Sequence, residues 1–159
     1  MKVISVDPGY DRLGVAIMEL ENGSEKLIHS ECIETDKKLS LTERLKTIGD
    51  RFEALLLAHS PTALGIETLF FNKNQKTAMG VAQARGILIY LAQTHNCTVY
   101  EFSPQEIKVA TTGYGKSDKA AVIDMVRRLI TDAPVSALDD EYDAIAVGIT
   151  CLAHHGRTK

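Results

Sequence analysis

Three apolar runs near the start of the chain are separated by turn residues and predict an antiparallel meander. The first, residues 2–6, is rich in β-branched side chains and ends on Asp7 before a Pro-Gly turn. Apolar positions then fill residues 13–20 and 27–33, and Asn22-Gly23 between them is typical of a tight hairpin. We therefore expect three consecutive strands with short connections.

Further along, the apolar spacing changes to every third or fourth residue, which predicts helices. The capping box Ser40-Leu41-Thr42-Glu43 begins a helix that runs to about His59. Later helices are predicted over residues 75–94, after the capped start 103–106, over 117–131 and from about Asp139, with strands over 62–67 and 99–102. Without a repeat or linker, the pattern predicts one α/β domain, residues 1–159, around a five-stranded mixed sheet.

Composition narrows the class of protein. The 159 residues are 45% hydrophobic and 25% charged, as expected for a globular domain. No apolar run approaches the roughly 20 residues that cross a bilayer, and the chain starts on a strand, so we expect a cytoplasmic protein without membrane contact. The three cysteines are widely spaced, which argues against a disulfide framework or a zinc site.

Charge is unevenly distributed along the chain. The net charge is −3, but residues 72–128 contain eight basic and four acidic residues, a balance of +4. The remainder holds ten basic and seventeen acidic residues, a balance of −7. A basic centre of this kind is compatible with a polyanionic partner.

Carboxylates stand at the ends of two predicted strands and at the start of the last helix. Asp7 and Glu67 each end an apolar run, so they meet at one sheet edge if their strands are neighbours. On the helix, Asp143 lies four residues from Asp139 and three from Asp140, and spacing alone leaves that choice open. Turn capping and the helix dipole are the structural alternatives, but Asp143 leads directly into an apolar stretch.

Four converging carboxylates predict a divalent metal site. All-oxygen ligands suit Mg²⁺ or Mn²⁺ better than zinc. Two ions about 4 Å apart would activate a water nucleophile and stabilise the leaving oxygen of a phosphodiester.

The combined motifs resemble the RuvC Holliday-junction resolvases of the ribonuclease-H-like superfamily. The resemblance lies in residues 5–9, 65–74, 83–86, 116–119 and 140–147. It implies a sheet of three antiparallel and then two parallel strands. It also implies a homodimeric, Mg²⁺-dependent endonuclease with two ions per site, in which Mn²⁺ substitutes. Such an enzyme cuts opposed strands of four-way junction DNA to leave 5′-phosphate nicks, and branch-migration motor proteins are possible further partners.

The resemblance also assigns roles to residues. Asp7, Glu67, Asp140 and Asp143 would be the catalytic, metal-binding acids, with the D-x-x-D spacing choosing Asp140 over Asp139. The expected DNA contacts are Phe70, Lys73, Lys108 and Lys119. Tyr10-Asp11 and the negative net charge depart from the family pattern.

Some questions stay open at this level. In the aromatic-basic loop 70–74 we expect Phe70 exposed and Phe71 buried, and the small residues of helix 75–94 fit packing within the chain or a dimer interface. The alternative functions are a related nuclease acting on flaps or RNA, a junction-binding protein without cleavage, and an actin-like nucleotide-binding domain. The last would need a second glycine-rich phosphate loop and a longer chain.

Overall fold

A computed structural model describes residues 1–69 and 75–156, with the side chains of residues 75 and 76 excepted. Its strands and helices, in chain order, are β1 (Lys2–Asp7), β2 (Arg12–Glu21), β3 (Ser24–Glu34), α1 (Leu41–His59), β4 (Ala63–Glu67), α2 (Gln75–Thr94), β5 (Thr98–Phe102), α3 (Pro104–Thr112), α4 (Lys119–Leu129) and α5 (Asp139–His155). Phe70, Phe71 and Lys73 lie outside the described residues. In the described part of the chain, no helix is long and apolar enough to span a bilayer.

The sheet confirms the predicted fold class. Its strand order is β3-β2-β1-β4-β5. The first three strands pair antiparallel, whereas β4 pairs parallel with both β1 and β5. At the hairpin, Asn22 and Gly23 both have positive φ, as a type I′ turn requires. Val6 pairs with Ile66, so Asp7 and Glu67 follow side by side at one edge.

Helices cover both faces of the sheet because strand side chains alternate between them. Ile4, Val6 and Leu64 pack with α1 and α2 on one face, while Val3 and Ala63 pack with α3, α4 and α5 on the other. The predicted capping boxes at the starts of α1 and α3 are both present. The prediction of a helix over 117–131 was too long at both ends, because Asp118 caps the start and Ile130 adopts an extended conformation.

Helix α5 lies unusually close to β1 and β2. A Cβ built at Gly14 would meet the carbonyl oxygen of Asp140 at 1.8 Å, and one at Gly148 would meet Met18 Sδ at 2.5 Å. Buried Ser5 donates a hydrogen bond from Oγ to the carbonyl of Ala144, at 2.7 Å. The contacts at Gly14 and Ser5 bring the first two turns of α5 to the sheet edge that carries Asp7.

We expect Gly14→Ala to displace the start of α5. The added methyl group has no room, so the free energy of unfolding should fall by about 1–3 kcal/mol, as in other overpacked sites. The carboxylate of Asp140 should move with its backbone, so the endonuclease activity expected from the sequence should fall by more than the loss of stability alone explains. Denaturant unfolding and cleavage assays test this, with Glu21→Ala at the exposed end of β2 as control. Equal behaviour of the two variants would contradict the close-contact explanation.

Candidate active site

Two of the predicted acids, Asp7 and Glu67, lie at the ends of the neighbouring parallel strands β1 and β4. Burial is the main reason that the pKa of Asp7 rises from its ordinary 3.8 to about 7, and nearby carboxylates add to the rise. In order of effect, these carboxylates are Asp143, Glu67 and Asp140. Lys119 acts in the opposite direction and lowers the pKa of Asp7. Burial also raises the pKa of Glu67, with Asp143 as a further cause. The four carboxylates therefore interact electrostatically as one cluster.

The start of α5 supplies the other two acids and separates Asp140 from Asp139. The Asp140 side chain is 18% exposed, and that of Asp139 is 57% exposed. Asp140 also raises the pKa of Asp7. The structure thus brings Asp7, Glu67, Asp140 and Asp143 together and leaves Asp139 at the rim, where Lys119 Nζ lies 3.3 Å from its Oδ2.

Two cations partly balance the cluster. Lys119 Nζ lies 3.1 Å from Asp143 Oδ2, yet burial still raises the pKa of Asp143. Arg12 Nε lies 3.1 Å from Asp140 Oδ2, but outside hydrogen-bond geometry, so this buried oxygen accepts no hydrogen bond. Asp140 therefore presents a desolvated acceptor whose charge is only partly compensated.

The donor chemistry of this cluster fits a hard divalent cation. All four side chains are carboxylates. Three of them, Asp7, Glu67 and Asp143, have a pKa raised chiefly by burial and further by neighbouring carboxylates, and Asp140 adds a buried acceptor without a hydrogen bond. Oxygen ligands of this kind suit Mg²⁺ or Mn²⁺. Among the described residues, no three acidic, histidine or cysteine side chains already stand at metal-holding spacing.

A cleft of about 250 Å³ opens beside the cluster. Its lining includes Glu67, Asp143, Lys108 and Lys119. Lys108 acts on Glu67 by lowering its pKa against the effect of burial. The family resemblance predicts both lysines as DNA contacts, and the fold places them next to carboxylates. The phosphate backbone of a nucleic acid could approach the acids of this site only with cations beside them to offset the repulsion.

Comparison with known proteins identifies the family. A family model described as crossover junction endodeoxyribonuclease RuvC matches residues 3–151. The chain belongs to the RuvC family. The RuvC of Thermosipho melanesiensis is 42% identical over 96% of this chain and 97% of its own. The structure of Thermus thermophilus RuvC matches with a TM-score of 0.87 at 28% identity, covering 100% of this chain and 99% of that one.

A second RuvC structure connects the fold to DNA. Thermus thermophilus RuvC in complex with Holliday junction substrate matches with a TM-score of 0.89 at 28% identity, over 99% of this chain and 95% of that one. The resemblance to the RuvC resolvases seen in the sequence is thus confirmed.

The departure from the RuvC pattern at Tyr10-Asp11 has a structural role. Arg44, a buried residue of α1, forms an ion pair with Asp11. Its guanidinium lies 5.0 Å from the centre of the Tyr10 ring, and its Nε donates to Thr35 Oγ1 at 2.8 Å. These contacts fasten the turn after Asp7 to α1 and to the end of β3.

Sequence reasoning missed the residues that hold the acids in place. Arg12 reaches Asp140 from β2, and Gly14 and Ser5 allow α5 to approach the sheet. A glycine and a serine within otherwise apolar strands were the available signals. Arg85 of α2 forms an ion pair with Glu101.

Proposed function

We propose that this chain is a metal-dependent endonuclease that resolves four-way (Holliday) DNA junctions by paired symmetric nicks in recombination and repair. The observation that carries the proposal is the carboxylate cluster from β1, β4 and α5 beside a cleft lined by Lys108 and Lys119. Membership of the RuvC family supports it, as does the similarity to a RuvC structure with Holliday junction substrate.

In this proposal Asp7, Glu67, Asp140 and Asp143 are the catalytic residues and hold two Mg²⁺ ions, for which Mn²⁺ can substitute. Bound there, the ions would supply an activated water and would neutralise charge on the leaving oxygen. Lys108 and Lys119 hold the phosphate backbone over the carboxylates, which would otherwise repel it. No histidine lines the cleft among the described residues, consistent with water as the nucleophile.

Substituting Asp140 and Asp139 separately tests which of the two acids belongs to the catalytic group. We expect Asp140→Asn to lower single-turnover junction cleavage at least about 10²-fold, because Asp140 belongs to the cluster and its side chain is only 18% exposed. Asp139→Asn should lower it less than about fivefold, since it removes only an exposed ion pair with Lys119. The reverse order of effects would make Asp139 the metal ligand.

The lysines of the cleft should show their role in the salt dependence of binding. For Lys108→Gln we expect weaker junction binding and a slope of log affinity against log salt reduced by about 0.9, the effect of one lost phosphate contact. Lys46→Gln on α1 is the matched control, because Lys46 is exposed on the opposite face of the sheet. An unchanged slope for Lys108→Gln would remove Lys108 from the DNA contacts.

Phe70 and Lys73 stay predicted contacts.

Paired cuts in opposed strands require two active sites, so we propose a homodimer. Helix α2 supports this, because Met79, Gly86 and Tyr90 lie exposed along one side of it. Other small residues of α2 are used within the chain, where Gly80 contacts the Tyr10 ring. Docking of branch-migration motor proteins stays a prediction.

The deciding experiment compares a labelled mobile four-way junction with a linear duplex of the same sequence, both in Mg²⁺. Symmetric nicks in the junction alone, absent in Asp7→Asn and Asp143→Asn, are the expected result. Binding without cleavage in Mg²⁺ or Mn²⁺ would favour a non-cleaving junction-binding protein. Equal cutting of duplex, flap or RNA substrates would favour a broader nuclease.

A further inference from the structure

The loop between α3 and α4 borders the proposed active site. Helix α3 carries Lys108, and α4 begins with Lys119, so residues 113–118 connect the two lysines that line the cleft. Any polyanion held by both lysines would pass close to this loop. The loop adds a further exposed cation, Lys116.

The main chain of this loop is held in one conformation. Gly113 ends α3 with a φ of 77°, a left-handed conformation that favours glycine, and its N–H donates to the Val109 carbonyl. The N–H of Tyr114 donates to Thr112 Oγ1 at 3.1 Å. The N–H of Ser117 donates to the Tyr114 carbonyl at 3.1 Å. Both peptide groups of Tyr114 are therefore anchored.

Hydroxyl contacts and close packing fix the loop further. Ser117 Oγ lies 2.7 Å from Thr112 Oγ1, so the two ends of the loop are linked. A Cβ at Gly115 would come within 2.9 Å of Gln105 Cγ, which shows how closely the loop lies on α3. The position from which the Tyr114 side chain projects is thus set before any ligand binds.

The Tyr114 ring itself takes little part in the fold. The residue is 61% exposed. Its ring therefore contributes far less to stability than a buried tyrosine would. An exposed aromatic ring on a fixed backbone, in the loop that joins the two cleft lysines and carries Lys116, has the chemistry of a stacking platform for nucleic acid. Its face can stack on a base while the lysines balance the phosphates.

We propose that Tyr114 stacks on a base of the junction DNA that enters the cleft, as an aromatic contact additional to the one predicted at Phe70. The inference rests on the proposed function, because it requires junction DNA at this site. The stacking contact involves neither the metal ions nor the phosphate that is cut. Stacking of this kind tolerates sequence, since every base has a π-face.

The test measures binding in an Asp7→Asn background, which allows Mg²⁺ to be present without cutting. Labelled four-way junctions with 2-aminopurine at successive positions around the crossover report affinity and base stacking together. We expect Tyr114→Ala to weaken junction binding by about fivefold to a hundredfold and to remove quenching at one position. Tyr114→Phe should bind within about twofold of the parent, because the ring is retained.

Three controls separate stacking from other effects. Leu57→Ala removes a side chain of similar exposure, 66%, from α1 on the opposite face of the sheet, and should leave binding unchanged. The salt slope of Tyr114→Ala should equal that of the parent, because no charge is lost. Thermal unfolding should be alike for all variants.

The possible failures are distinguishable. Parental affinity and quenching in Tyr114→Ala would overturn the stacking proposal alone and leave the resolvase proposal intact. Equal losses in Tyr114→Phe and Tyr114→Ala would also overturn it, because the hydroxyl and not the ring would be responsible. A parent that does not prefer the junction over a duplex would overturn the proposed function, and the Tyr114 proposal with it.

Discussion

Asp7→Asn should reduce junction cleavage by about 10³-fold or more, as expected when one member of a catalytic group is removed. Asp7 lies at the end of the central strand β1, and its charge interacts with three other carboxylates. Asparagine keeps the size of the side chain but removes the charge that a divalent cation requires. Single-turnover cleavage in Mg²⁺ measures the loss.

Binding should respond to the same substitution in the opposite direction. Removing a negative charge from the cluster lowers its repulsion of phosphate, so junction affinity should be retained or improved. Asp50→Asn is the matched control, because Asp50 is an exposed acid of α1 paired with Lys46. Cleavage by Asp7→Asn within tenfold of the parent would remove Asp7 from the catalytic group. Loss of binding together with cleavage would indicate a folding defect.

Local sequence signals predicted most of the elements that carry this site. Asn22-Gly23, Ser40-Glu43 and Ser103-Glu106 act through residues at most three positions apart, so their turn and caps are visible without a structure. The acids Asp7 and Glu67 were predicted from strand ends in the same way. Their proximity needed one further fact, the parallel pairing of β1 with β4.

Contacts between distant segments were beyond the sequence. The pairs Arg12–Asp140 and Gly14–Asp140 join residues more than 120 positions apart, and no local pattern marks them. Helical periodicity alone could not separate Asp139 from Asp140 for the same reason. What distinguishes them is the seating of α5 on β2, which buries one side chain and leaves the other at the rim.

Stability of the metal-free protein should fall as the pH rises from about 4 to 7. The folded pKa of Asp7 is about 7, against an ordinary 3.8, so over this interval the folded state holds a proton that the unfolded state has lost. The free energy of unfolding therefore decreases with pH. A shift of this size corresponds to a loss of up to about 4 kcal/mol. The raised pKa values of Glu67 and Asp143 act in the same direction.

Asp7→Asn isolates this contribution from other titrations. The pKa of His59 is lowered, chiefly by burial, so His59 makes folding more favourable as the pH rises and partly masks the effect of Asp7. The difference between parent and variant in EDTA, measured by denaturant unfolding at pH 5 and pH 8, removes that background. Asp7→Asn should be the more stable protein at pH 8, and the advantage should disappear towards pH 4.

Divalent ions should restore the stability that the metal-free parent loses as the pH rises, but only at a pH where the carboxylates are charged. At pH 8, saturating Mg²⁺ or Mn²⁺ should stabilise the parent by mass action on the folded state, and should stabilise Asp7→Asn much less. At pH 5 protons compete for the same oxygens, so the gain should shrink. Parallel pH profiles for parent and variant would contradict a buried, raised-pKa Asp7. A dependence that follows these signs would mean that the buried negative charges which weaken the metal-free protein are the same charges that bind the ions.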